Sequence, residues 1–212
     1  MDYYLLAGDG ILVEEFVYGE DHVTVGLGGA MWAGGDGRWR AAGSFGRFFR
    51  TEEALLATVT PVGRERAARV YRELGGGDLP GEDTLRAGFG ARERFTTSAP
   101  LRLGGDETPD GFAEKRLYRV LFARELPGNR LAELSASWPG EGDGGLPGGR
   151  GRAGNDLYSW NLRRIGHGIG WGLDVTVLLG GDRPDVIGPV LRKLTADVRR
   201  RGLIPVTTER FT

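Results

Sequence analysis

The sequence predicts an α+β protein resting on antiparallel sheets. Three observations predict this. The first fifty residues read mostly as short strands broken by glycine turns. "LYSWNLRRI" and "GWGLDVTVLLG", residues 157–165 and 170–180, alternate between apolar and polar side chains. "DVIGPVLRKLTADVRRRG", 185–202, carries Val186, Ile187, Val190, Leu191, Leu194 and Val198 at helical spacing.

"DYYLLA" (2–7), "ILVEEFVY" (11–18) and "HVTVGL" (22–27) are rich in β-branched and aromatic residues and are separated by GDG and GED turns. "AMWAGGDGRWRA" reads as a hairpin with Trp32 and Trp39 on its arms and Asp36-Gly37 in the turn. Two helices are expected next. "TEEALLAT" has Thr51 as its cap and Glu52 and Glu53 against the positive end of the helix dipole. "TPVGRERAARVYRELGGG" has Thr60 as cap, Pro61 at the first helical position and Gly75 as the stop. Its apolar stripe is Ala67, Val70, Tyr71 and Leu74. Within the mixed stretch 75–115, a strand is expected at Arg94–Leu103.

The C-terminal half reads more clearly. "RLYRVLFAREL" (116–126) is a strand with Tyr118, Val120 and Phe122 on one face. "NRLAELSASW" is a short helix capped by Asn129, ending before Pro139 and presenting Leu131, Leu134 and Trp138. The segment 139–155, "PGEGDGGLPGGRGRAGN", has no periodicity and reads as a flexible loop. The final helix, 185–201, tolerates Pro189 near its start and stops at Gly202. "LIPVTTERF" is the last strand. The order strand, helix, strand, strand, helix, strand over 116–212 resembles the βαββαβ topology of ferredoxin-like domains. That resemblance implies both helices on one face of an antiparallel sheet and implies no activity. The expected organisation is thus a β-rich part with hairpins and two helices, 1–115, and a ferredoxin-like part, 116–212, packed as one unit.

Parity places the polar residues of this second part. The apolar sets are Tyr158, Trp160 and Leu162 in one strand and Trp171, Leu173, Val175, Val177 and Leu179 in the next. Paired residues share a face, so paired numbers must sum to an odd value, and the connecting loop must hold an even number of residues. A tip at His167-Gly168 meets this and pairs Asn161 with Asp174, with Arg163 diagonal to Asp174. Ser159, Asn161, Arg163, Asp174 and Thr176 then line one polar face, which is the candidate binding surface. His167 and Asp174 are the candidates for acid–base work, although a place at the hairpin tip explains His167 better than a catalytic role does.

Composition narrows the function. The 212 residues include no cysteine and two histidines, His22 and His167. Disulfides, thiolate catalysis and zinc–cysteine sites are excluded, and no metal site or cofactor is expected. The net charge of −1 gives no basis for nucleic-acid binding. No apolar run reaches 18 residues, and the start "MDYYLLAGDG" lacks a basic region, so no membrane association or signal peptide is expected and the setting is read as cytoplasmic. Glycine occurs 38 times, lysine only at Lys115 and Lys193, and glutamine not at all. This is the signature of GC-rich codons, so arginine number alone does not argue for phosphate binding. "AGSFG" (42–46) approaches a nucleophile elbow at Ser44 but lacks the parallel strand–turn–helix context, and no Walker motif occurs. Glu14 and Glu15, adjacent on a strand, point to opposite faces and cannot share a proton. The expectation is a non-catalytic protein that binds a protein partner or a small ligand. The alternatives are a small enzyme acting on a partly apolar molecule in a cleft between the halves, and a structural subunit of a homo- or hetero-oligomer.

Overall fold

The computed structural model describes residues 1–8, 10–35, 37–96, 107–138, 140–166, 170–181 and 184–211. It is an α+β protein with antiparallel sheets. The chain divides into two compact units, Met1–Gly19 with Thr24–Thr97, and Glu20–Val23 with Ser98–Thr212. Among the described residues each unit holds one six-stranded antiparallel sheet.

The first unit contains β1 (Asp2–Leu6), β2 (Gly10–Tyr18), β3 (Thr24–Ala33), β4 (Arg38–Ala41), α1 (Phe45–Thr51), α2 (Glu53–Thr58), β5 (Val59–Val62), α3 (Arg64–Glu73), α4 (Glu82–Ala87) and β6 (Glu93–Arg94). The sheet order is β4-β3-β2-β1-β5, with β6 also beside β3. Trp32 and Trp39 stand on the two arms of the β3–β4 hairpin, as expected, and pair directly across it, and Gly37 takes φ 62° in its turn. Asp36 of that turn lies outside the described residues. One face packs Tyr3, Ile11, Val13 and Trp32 against Ala67 and Tyr71 of α3 and Leu85 of α4. The alternation of β2 sends Glu14 and Glu15 to opposite faces: Glu15 chelates Arg86 of α4 at 2.7 and 2.8 Å, while Glu14 is buried against Arg50 of α1.

Two helix starts differ from the sequence reading. Thr51 ends α1 instead of capping the next helix, and its hydroxyl donates to the Phe48 carbonyl. Thr60 and Pro61 belong to β5, which pairs with β1, and α3 begins only after Gly63. Proline has no N–H, so it is tolerated on an edge strand as readily as at a helix start, and local chemistry does not separate the two. α1 and α4 carry no periodic apolar pattern long enough to read. Most of the strand expected at Arg94–Leu103 lies outside the described residues; β6 covers Glu93–Arg94.

The second unit contains β7 (Glu114–Ala123), α5 (Gly128–Ser137), β8 (Gly140–Glu141), a short 3₁₀ turn (Asp143–Gly145), β9 (Pro147–Ala153), β10 (Asp156–Ile165), β11 (Gly170–Leu179), α6 (Ile187–Arg199) and β12 (Ile204–Arg210). The 115/116 boundary read from the sequence falls inside β7. The sheet order is β12-β7-β11-β10-β9-β8. Counting only β7, β10, β11 and β12, this is the 4-1-3-2 order of a ferredoxin-like domain, with β9 and β8 added beyond β10. α5 and α6 cover one face. Leu134 and Trp138 from the α5 segment, and Ile187, Leu191 and Leu194 of α6, pack on Tyr118, Trp160, Leu173 and Val175. Pro127, not Asn129, stands at the N-cap of α5. Gly202 follows α6 at φ 102°, as a C-terminal stop requires.

Within the segment 139–155, read as a flexible loop, the described residues carry two strands, β8 and β9. Pro147–Ala153 forms a strand paired with β10 from Asp156↔Ala153 to Asn161↔Gly148. Its glycines hide it from periodicity while making its packing possible. A Cβ on Gly149 would stand 2.6 Å from the Trp160 ring, and one on Gly151 would collide with the Tyr158 ring. These two rings stack on each other, 5.7 Å between centroids, over the bare backbone. Among the described residues no helix is long and apolar enough to cross a membrane.

Candidate functional site

Because α5 and α6 cover only one face of the second sheet, the other face carries the even-numbered residues of β11 and the odd-numbered residues of β7 and β10. The register is the one parity demands: Asn161 pairs with Asp174, Ser159 with Thr176 and Ile165 with Gly170. His167 and Gly168, at the expected tip, lie outside the described residues. Three successive rungs of the polar face, spaced about 7 Å by the strand rise, concern the site. The first runs Arg119–Asp174–Asn161–Gly148, the second Leu117–Thr176–Ser159–Arg150, and the third Lys115–Leu178–Leu157–Arg152.

The first rung carries an ion pair between Arg119 and Asp174. Arg119 donates to both carboxylate oxygens of Asp174, from Nε at 2.6 Å and from Nη2 at 2.9 Å. Arg163 stands diagonally, its Nε 3.4 Å from Asp174 Oδ2. The hydrogen bonds that Arg119 donates to Asp174 hold its guanidinium above its ordinary pKa, and the Phe211 ring lies 4.9 Å beneath it. Asp174 thus accepts from Arg119 through both of its oxygens, a bidentate pair that fixes the two side chains against each other. Arg119 was not singled out from the sequence. The signal existed: with Tyr118, Val120 and Phe122 inward, Arg119 must face outward, and the ferredoxin-like strand order sets β7 beside β11.

An open hollow of about 600 Å³ lies over the first two rungs. Ser159, Asn161, Asp174 and Thr176 form its floor, Leu117 and Arg150 flank it, and Gly140, Gly142 and Gly149 make its wall. Four of the five sequence candidates thus meet in one place. Arg163, half-exposed, stands outside the lining and touches it only through Asp174. The β8–β9 turn builds the wall: Gly142 donates its N–H to the Leu146 carbonyl at 2.7 Å and lies directly on the Asn161 side chain, where a Cβ would collide with Oδ1. That Oδ1 is buried and has no hydrogen-bond partner. With Oδ1 under Gly142, the amide Nδ2, a donor, is the polar atom left to the hollow. A second hollow of about 210 Å³ adjoins the first. Arg150, Ser159 and Thr176 line both, and Leu157 and Leu178 line only the second.

Searches against protein-family models, curated proteins and solved structures return no match. The site is therefore read from its own chemistry. Among the described residues no group of three or more acidic or histidine side chains is placed to hold a metal ion. Ser44, the serine of the near-elbow, lies at the N-terminus of α1 after an antiparallel edge strand. It has no part in this face.

Proposed function

We propose that the second unit is a binding module for a small polar ligand, held in the hollow over the Ser159–Thr176 and Asn161–Asp174 rungs. One observation carries the reading: a concave site of ligand size sits on the helix-free face of a sheet, with hydroxyl and amide groups converging on it and the Asp174 carboxylate paired with Arg119. Side chains held by paired strands keep their geometry, which favours recognition without a conformational cost. A small ligand suits the hollow better than a protein partner, whose footprint is about 800 Å² and comparatively flat. The commitment of both Asp174 oxygens to Arg119 favours binding over proton transfer. A cytoplasmic setting belongs to the same proposal and is tested by fractionation.

The test is a thermal-shift screen of small polar molecules, followed by amide NMR mapping of hits. A ligand present at a hundred times its Kd adds about 2.7 kcal/mol to stability and raises the melting temperature accordingly. Amide shifts should concentrate at Ser159, Asn161, Asp174 and Thr176. Ser159→Leu fills the hollow from an exposed-face position and should abolish them. Hits that map away from this face and survive Ser159→Leu would overturn the reading.

A further inference from the structure

The polarity of the two joined hollows is graded, and the grading specifies a ligand class. Donors dominate the larger hollow: the hydroxyls of Ser159 and Thr176, Asn161 Nδ2 and the Arg150 guanidinium. Its acidic group, Asp174, is consumed by Arg119 and Arg163. Among the described residues Arg150 and Arg152 make no ion pair, and both are exposed on the same face of β9, two positions apart. Cationic donors without an acid partner, beside neutral hydroxyl donors, match a carboxylate or phosphate. One rung further, the chemistry changes. Leu157 and Leu178 pair directly and line the smaller hollow, whose 210 Å³ accommodates about seven water-sized groups. Arg150, Ser159 and Thr176 stand at the junction of the two.

We infer that the site takes an amphiphilic anion: a carboxylate or phosphate head bound by Arg150, Ser159 and Thr176, with a short apolar chain along Leu157 and Leu178. This rests on the small-ligand reading above and specifies its chemistry. A neutral polar ligand would leave the guanidinium unmatched, and a cation would be repelled by the Arg150 charge. A fully polar anion would leave the Leu157–Leu178 pair in water.

The inference is tested on the full-length protein by amide NMR titration with four probes: hexanoate, hexyl phosphate, acetate and hexylamine. Hexanoate, hexyl phosphate or both should shift Ser159, Thr176, Leu157 and Leu178, and which binds more tightly identifies the head group. Acetate should bind about tenfold or more weakly than hexanoate, having no chain to bury. Hexylamine should not bind here. Arg150→Gln, at an exposed position that leaves the fold intact, should weaken the anions about tenfold or more, because a charge-assisted hydrogen bond is lost. Leu178→Ser should erase the advantage of hexanoate over acetate, with the unbound spectrum confirming its fold. If neither hexyl anion shifts this face while neutral polar molecules do so in the screen, the amphiphilic-anion inference falls and the small-ligand reading stands. If neither class shifts it, both fall. Unchanged anion affinity in Arg150→Gln would also overturn the inference.

Discussion

Glu14 and Arg50 are among the most deeply buried charges described, with side chains 1% and 3% exposed. The pair is bidentate, at 2.8 and 3.2 Å, and Arg50 also donates to Tyr4 Oη and to the Gly46 carbonyl, with the Phe49 ring 4.5 Å from its Cζ. Burial alone disfavours the guanidinium, but Glu14 and Tyr4 outweigh it and hold Arg50 above its ordinary pKa. A buried pair gains little over an apolar replacement, yet removing one member strands the other. Arg50→Ala should therefore cost about 3–5 kcal/mol in urea denaturation, while Glu14→Leu/Arg50→Leu should recover much of that loss. His22 offers a pH test. It sits at φ 63°, and burial, then the nearby Arg192 and Arg116 charges, lower its pKa below the ordinary 6.5, with Asp21 opposing. Folding thus favours the neutral ring. Its contribution is complete above pH 6.5 and is lost as the pH falls below it, through the folded-state value. His22→Asn, which also accepts positive φ, should flatten the stability profile below pH 6.5. An unchanged slope would show that the ring does not titrate against its surroundings.

At the scale of elements, α6 supports the site from the other face of the sheet and β9 supports it as a strand within the sheet. The stripe of α6 packs on the inward faces of Trp160, Leu173 and Val175, whose strand neighbours Asn161 and Asp174 make the floor. Leu191 is 6% exposed, so Leu191→Ala should cost about 2–5 kcal/mol. Arg200, mostly exposed and paired with Asp197 one turn away, should cost only about 0.2–1 kcal/mol when changed to alanine. Similar losses for the two would remove α6 from the core described. β9 depends on what its glycines lack. Gly149→Val must displace the Trp160 ring and should cost about 1–3 kcal/mol by overpacking. Trypsin should cut slowly at Arg150 and Arg152, because both peptide segments are paired in the sheet. Fast cleavage there would restore the flexible loop expected from composition.

At the scale of the molecule, the two units have separate apolar cores with no residue in common. Arg50 belongs to the first unit and Leu191 to the core of the second, so the effects of Arg50→Ala and Leu191→Ala should add to within about 0.5 kcal/mol when combined; a larger discrepancy would reveal coupling that these cores do not account for. The amino-acid sequence by itself determined the alternating strands, the α6 stripe and, through parity, the register that brings Ser159 opposite Thr176 and Asn161 opposite Asp174. Side-chain period and facing are local consequences of backbone geometry, so they survive in one dimension. Tertiary structure alone decided the rest. Pro61 became an edge-strand residue because β1 offered a partner. The glycine run 147–153 became a strand because Tyr158 and Trp160 supplied the side-chain surface it lacks. Arg119 and Arg50 found their acids across 55 and 36 positions of chain. Such pairings depend on which elements become neighbours in space, and no local period encodes that.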